Sequence, residues 1–378
     1  MKVISLLAAV LLLFGSAAPG KQAGPGESTD PAMRIRADQW HLSYLNSGEA
    51  NAVSTGAGVV VAVLDTGVDP HPDLRTNLLR GVSTIPGNPG DGWSDENSHG
   101  TGMAGLIAAH GQAGDKGARG IAPTARILPI KSSGADNTGQ PEDLARGIDV
   151  AVSLHADVIS ISSSGTATPE LIRSIKQALL ANIVVVAAAG NRPEDAFVGY
   201  PAAEEGVIAV GGVDRTGAHA SVSVSGPEID VVAPAVDIYS TSYGGKYSKG
   251  TGTSSATAIV AGAAALIRSK FPDLPAAEVA HRLTATAVDK GPPGRDDQYG
   301  YGVIDLVAAL TADVPPLGFE STGVTAPAST AASPGTGGGD DSTARGLATL
   351  GALLAAGGAY LVWRRRRRAD DPPPRISR

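Results

Sequence analysis

Six short runs rich in Val and Ile, at residues 59–64, 127–130, 158–161, 183–187, 207–210 and 229–232, constrain this chain more than any other feature. The runs are continuous and Val/Ile-rich rather than alternating, which suits strands covered on both faces, as in a parallel sheet. Stretches with a helical period fall at 142–155, 169–181, 254–270 and 275–287. Strand and helix in turn imply a doubly wound, mostly parallel α/β sheet with helices on both faces and right-handed crossovers. Such a sheet places its chemistry at the carboxyl ends of its strands.

Three segments carry residues suited to that position. In VVVAVLDTGVD (59–69), Asp65 directly follows an apolar run, although an Asp before Thr-Gly is more often a turn or cap residue. In NSHGTGMAGLIAA (97–109), His99 opens a helix of small residues; Gly100, Gly102, Ala104 and Gly105 leave no bulk beside it, so the helix end can pack closely. In KGTGTSSATAIVAG (249–262), Ser254 begins a long helix of small apolar residues, where a serine commonly serves only as a cap. A fourth segment, IVVVAAAGN (183–191), ends a strand with the amide of Asn191 at its tip.

Taken in order, D-T-G-V-D, H-G-T-x-x-A-G, A-A-G-N and G-T-S-x-A-x-x-x-V-A-G make the chain resemble the subtilisin family of serine proteases over about residues 57–312. The resemblance implies Ser254 as nucleophile, His99 as general base, Asp65 as the carboxylate that orients the imidazole, and Asn191 as an oxyanion donor. It further implies that Ser162, Ser163, Ser164 and Gly165 pair with an extended peptide substrate, and that the chemistry needs no cofactor. Three features depart from the family's usual pattern. Ser255 stands where Met is common, Ala258 where Pro is common, and Ser162-Ser163-Ser164-Gly165 where the strand ends in S-L-G-G or similar. Backbone pairing requires no particular side chain, so the serines bear on pocket preference and not on the reaction. Structural calcium is an open matter. The acidic loops 91–96 and around Asp296 and Asp297 have no recognisable ligand pattern.

The ends of the chain read differently. Residues 1–18 have the Lys2, apolar-run and small-residue layout of a secretory signal peptide. Residues 19–56 form a polar lead-in with one short helix expected near 39–45, and 313–344 are a Pro/Gly/Ser/Thr-rich stalk. Residues 346–363 are uncharged and 18 long, and are followed by the arginine-rich tail 364–378. This is the expected pattern of a single transmembrane helix with a cytoplasmic basic tail. The signal, the lead-in with Arg34, Trp40 and Leu42, the stalk and the span are most similar to the mycosins, membrane-anchored subtilisins associated with type VII secretion. The catalytic domain is therefore expected outside the cell, acting on protein or peptide substrates, with the secretion machinery as a partner. The alternative is a scaffold of that machinery with secondary proteolysis.

Composition removes several other classes. With no cysteine there is no disulfide, thiolate zinc site or cysteine nucleophile. The net charge is −7, and about −13 for the part between signal and tail, which argues against a nucleic-acid partner. Gly100, Gly102 and Gly105 also match the dinucleotide pattern G-x-G-x-x-G, but a polar loop precedes them where that motif needs a strand.

Overall fold

The computed structural model describes residues 30–318 of the 378-residue chain. The signal-peptide segment, most of the stalk, the apolar span and the basic tail lie outside the described residues. Among the described residues no helix is long and apolar enough to cross a membrane.

Three short helices come first, α1 (Pro31–Asp38), α2 (Trp40–Tyr44) and α3 (Ser47–Val53), where the sequence suggested one. Their apolar residues are few but well spaced. Ile35, Trp40, Leu45 and Ala50 are all buried against the body. Polar side chains complete the attachment. Trp40 Nε1 donates to the carbonyls of Val236 and Asp237, each at 3.2 Å. The Gln39 amide both accepts from Arg119 N at 2.8 Å and donates to Arg119 O at 3.0 Å.

The strands follow as β1 (Val60–Asp65), β2 (Val82–Ser83), β3 (His110–Gln112), β4 (Lys116–Arg119), β5 (Arg126–Lys131), β6 (Val158–Ile161), β7 (Val184–Ala188), β8 (Ile208–Val213), β9 (Val231–Pro234), β10 (Ile238–Ser242) and β11 (Lys246–Gly250). Interleaved with them are α4 (His99–Ala108), α5 (Pro141–Ser153), α6 (Pro169–Leu180), α7 (Thr253–Lys270), α8 (Ala276–Ala285) and α9 (Leu306–Thr311). Seven strands form one sheet in the order β2-β5-β1-β6-β7-β8-β9, every neighbouring pair parallel. Pairs β3–β4 and β10–β11 are separate antiparallel hairpins.

The inner strands are apolar because both of their sides are covered. All of β6, β7, β8 and β9 is buried. From β1 the chain steps to β5 on one side, then back across to β6 on the other. With right-handed crossovers, these opposite steps put α4 and α5 on opposite faces. They also make the carboxyl end of β1 the point where the strand order reverses. Asp65 is the last residue of β1. Helix α7 runs through the core beneath this point with residues 255–268 all buried, which only a sequence of small side chains permits.

Candidate active site

Asp65 leaves the sheet buried, with 4% of its surface exposed, and His99 is delivered opposite it by the first residue of α4. The turn that brings His99 there is built by Asp95. One Asp95 oxygen accepts from the N–H groups of Asn97 and Ser98 and from the Thr66 hydroxyl, each at 2.9 Å. The other accepts from Thr101 N at 2.9 Å and Thr101 Oγ1 at 2.5 Å. A single carboxylate thus ties off the start of α4 and links it to the residue beside Asp65. Ser98, directly before His99, is held left-handed at φ 86°. A non-glycine residue adopts that conformation only where its surroundings compel it.

Close approach of α4 to β1 depends on Gly100. A Cβ there would stand 2.1 Å from Gly67 O and 3.1 Å from the Asp65 Cβ. Gly105 similarly leaves room for Thr241 Oγ1, which would be 2.1 Å from an added Cβ. Gly102 has no such constraint, its nearest contact being 3.5 Å. Gly100 packs on the end of β1, and Gly102 and Gly105 against β10, so the G-x-G-x-x-G pattern here serves helix packing.

The result is a tightly held pair. His99 Nδ1 lies 2.8 Å from Asp65 Oδ1 and 2.9 Å from Oδ2. Asp65 Oδ1 also accepts from Thr66 N at 2.7 Å, which fixes the carboxylate. With Nδ1–H donating to the carboxylate, Nε2 carries the lone pair. Burial works against the charged ring, but the charge and hydrogen bond of Asp65, with Asp95 behind, outweigh it. His99 therefore titrates above the ordinary imidazole value of 6.5.

Ser254 is the second residue of α7. Its Oγ donates to Ser162 O at 3.1 Å, and Ser162 Oγ donates back to Ser254 O at 3.3 Å. Asn191 stands beyond the end of β7 on the other side. Its amide oxygen accepts from Thr253 N at 2.9 Å and Thr253 Oγ1 at 3.2 Å. That leaves its NH₂ free of any protein acceptor among the described residues. The Asn191 backbone is fixed in turn by Asp195, whose Oδ2 accepts from Asn191 N at 2.8 Å while Asp195 N donates to Asn191 O at 2.7 Å.

The four serine-rich positions continue β6. Ser162 is buried against Ser254, Ser163 is exposed, Ser164 is half-buried, and Gly165 pairs with Tyr200 through two backbone bonds of 2.9 Å. A cleft of about 300 Å³ opens alongside, lined by Ser133, Gln140, Leu144, Ser163, Leu171 and Tyr200.

Ser255 and Ala258 are both buried within an unbroken α7, so the departures from the family pattern are absorbed by packing. Among the described residues, no three His, Asp or Glu side chains converge as metal ligands. In the two acidic loops, Asp95 is occupied by α4, and Asp296 Oδ1 accepts from Gln298 N and Tyr299 N.

Sequence reasoning did not single out Asp95, Asp195 or Thr253. A signal existed for two of them: Asp95 sits in an Asp-Glu-Asn-Ser turn just before His99, and Thr253 immediately precedes Ser254. Asp195 has none, because its role depends on a loop closing back on itself.

A wholly parallel, doubly wound sheet with an Asp–His pair at its switch point and a serine opening the central helix defines a subtilisin-type serine endopeptidase. The profile of the subtilase family (peptidase S8) matches residues 56–302, and the chain belongs to that family. It is 39% identical over 269 residues to a thermostable alkaline protease of Halalkalibacterium halodurans, covering 70% of this chain and 71% of that protein. It is 43% identical over 262 residues to Subtilisin E of Bacillus subtilis, covering 68% of this chain but 66% of that one, about two thirds of its length. Among solved structures it is similar to MycP1 from the ESX-1 type VII secretion system. That match has a TM-score of 0.67 at 30% identity and covers 76% of this chain and 88% of that one. The mycosin resemblance read from the sequence thus has a structural counterpart.

Proposed function

We propose that this protein hydrolyses peptide bonds through a triad of Ser254, His99 and Asp65, with Asn191 as an oxyanion donor. The observation that carries the reading is the clasp of both Asp65 oxygens on His99 Nδ1, at 2.8 and 2.9 Å. A carboxylate so placed holds the tautomer whose Nε2 can accept a proton and stabilises the imidazolium that follows.

In this mechanism the Ser254 hydroxyl leaves the Ser162 carbonyl and gives its proton to His99 Nε2 as Oγ attacks the scissile carbonyl. Negative charge then develops on the carbonyl oxygen. The Asn191 NH₂ is available to receive it. So is the Ser254 N–H, because N–H groups in the first turn of a helix have no helical acceptor. The protonated His99 next gives its proton to the departing amine, and water releases the acyl group by the same steps in reverse roles.

We further propose that the catalytic body acts outside the cell, tethered by residues 346–363, in association with type VII secretion. The support is the uncharged 18-residue run before Arg364 and the likeness to MycP1. Catalysis is tested by reacting the protein with a serine-directed phosphonate and mapping the adduct. Modification of Ser254 that disappears in His99→Ala supports the triad, and modification of Ser255 instead would refute it. Tethering is tested by adding protease to intact cells, which should remove the body and spare the arginine tail. A full-length chain found free in the medium would defeat the tether.

A further inference from the structure

His99 opens α4, which packs on β10, and Ser254 lies just beyond β11, separated from it by Thr251, Gly252 and Thr253. The hairpin of β10 and β11 therefore bridges the helix that carries the base and the helix that carries the nucleophile. Its base is fixed by two bonds: Gly252 N donates to Ala235 O at 2.9 Å, and Asp237 N to Thr251 Oγ1 at 3.0 Å. Its tip is fixed to the loop that follows Asp65. There Asp69 Oδ2 accepts from Gly244 N at 3.0 Å, and His71 Nε2 donates to Lys246 O at 2.9 Å.

Strand β10 is buried yet carries hydroxyls on three successive residues, Ser240, Thr241 and Ser242. Each of them donates to the start of α4. Ser240 Oγ bonds Gly102 O and Thr241 Oγ1 bonds Thr101 O, both at 2.7 Å, while Ser242 Oγ bonds Ser98 Oγ at 2.9 Å. A backbone carbonyl has two lone pairs, so one already in a helix can still take such a donor. The approach is possible because Gly105 leaves a notch: an added Cβ would stand 2.1 Å from Thr241 Oγ1 and 2.6 Å from Ser240 Oγ. Ser98 is the left-handed residue immediately before His99, and Ser242 reaches it directly.

An apolar β10 could cover α4 equally well, but hydrophobic contact is non-directional and would leave the helix free to slide or turn. Hydrogen bonds are directional. Three of them in a row fix both how far α4 advances along β10 and how it is rotated about its own axis. Resting on the peptidase reading above, we propose that Thr241 and Ser242 are positioning residues for catalysis. Through them the β10–β11 hairpin acts as a strut that sets His99 against Ser254. Their hydroxyls bond the start of α4 and not the triad itself.

The test compares Thr241→Val, Thr241→Ser and Ser242→Ala with wild type in kcat, KM, Tm and the acid limb of kcat/KM. Thr241→Val keeps the shape and removes the hydroxyl. It should lower kcat about tenfold to a hundredfold at nearly constant KM, the loss expected when a catalytic group is displaced by up to about 1 Å. Thr241→Ser should restore most of the activity. Ser242→Ala should lower kcat in the same way, and it carries the test if Thr241→Val does not fold. None of these changes alters a charge, and the charged groups acting on the His99 ring are Asp65 on β1 and Asp95 in the loop before α4. A downward shift of the acid midpoint in Thr241→Val and Ser242→Ala therefore reports a loosened His99–Asp65 pair, which a hydroxyl that only stabilises the fold would leave in place. The rate at which a serine-directed phosphonate labels Ser254 should fall with kcat. Unchanged kcat and midpoint in whichever of Thr241→Val and Ser242→Ala fold, or a loss in Thr241→Val that Thr241→Ser does not restore, would overturn the strut and leave the peptidase reading intact. A wild type that neither hydrolyses peptides nor takes the label at Ser254 would overturn the peptidase reading, and the strut with it.

Discussion

Ser162 and Ser254 hold each other reciprocally: each hydroxyl donates to the other residue's backbone carbonyl, at 3.3 and 3.1 Å. The exchange ties the continuation of β6 to the start of α7. It places the strand that would bind a peptide in direct contact with the proposed nucleophile. It also parks the Ser254 proton on a carbonyl rather than on His99. The nucleophile is thus oriented but not yet activated, and substrate entry must redirect one hydroxyl hydrogen.

If the triad works as a unit, single losses should be grossly non-additive. Ser254→Ala and His99→Ala are each expected to abolish nearly as much kcat/KM as the double variant. Asp65→Asn should cost less than either, because the ring remains with a poorer tautomer. Peptidase assays on purified variants, with circular dichroism to confirm folding, check this. Losses that simply add would assign the nucleophile elsewhere.

Asn191 should act in the transition state and not in binding. Asn191→Ala is expected to lower kcat about 10²–10³-fold with little change in KM. Asp195 touches no substrate and acts by holding the Asn191 backbone. Asp195→Ala should give a smaller fall in kcat at nearly constant KM. Asp195→Asn should recover most of it, since its side-chain oxygen can still accept the Asn191 N–H. A loss in KM alone, or no rescue by Asn, would count against this positioning role.

The raised titration of His99 sets two opposite pH trends. Activity needs the neutral ring, so kcat/KM should fall with acid through a midpoint above 6.5. Stability from the His99–Asp65 pair has the other sign. The folded state holds the proton more tightly than the unfolded one, so this contribution is complete below 6.5 and lost as pH rises through the folded value. Asp65→Asn should therefore move the activity midpoint down and lower Tm more at pH 6 than at pH 9. An acid limb centred below 6.5 in the wild type would contradict the geometry.

His41 works in the opposite direction. It is fully buried in α2 with neither ring nitrogen partnered, and burial pushes it down to about 3. The unfolded chain takes up this proton near 6.5 and the folded one does not. The contribution is present above 6.5 and lost as pH falls toward 3. His71 and His219 are shifted the same way by burial, so the chain should lose stability with acid well before its carboxylates protonate. His41→Leu removes two orphaned polar atoms and should raise Tm, more at pH 5 than at pH 8, by calorimetry. An equal or larger loss of Tm at pH 5 would show that the ring has a partner after all.

Much of this was legible in the primary structure. The runs at 158–161 and 169–181 mark β6 and α6 almost to the residue, because a strand covered on both faces leaves a continuous Val/Ile-rich run and an amphipathic helix a periodic one. The segments carrying Asp65, His99, Asn191 and Ser254 could be found by their order. Their residue types were dictated locally: a strand end, a helix start without bulk, a helix of small residues. What could not be read were features that depend on distant parts meeting. The hairpin of β10 and β11 carries too little apolar periodicity to announce itself. The lead-in looked like a polar tail with one helix, since Ile35, Trp40, Leu45 and Ala50 are recognisable as core residues only when the surface that covers them is in place. Asp95 and Asp195 look like ordinary loop residues in a linear chain. Local sequence thus determined the strands, helices and chemical types of the site, because period and propensity act over a few neighbouring residues. The grip of Asp65 on His99 and the turn that frees the Asn191 NH₂ were decided by tertiary structure. Each is a contact of a few ångströms between segments that only folding brings together.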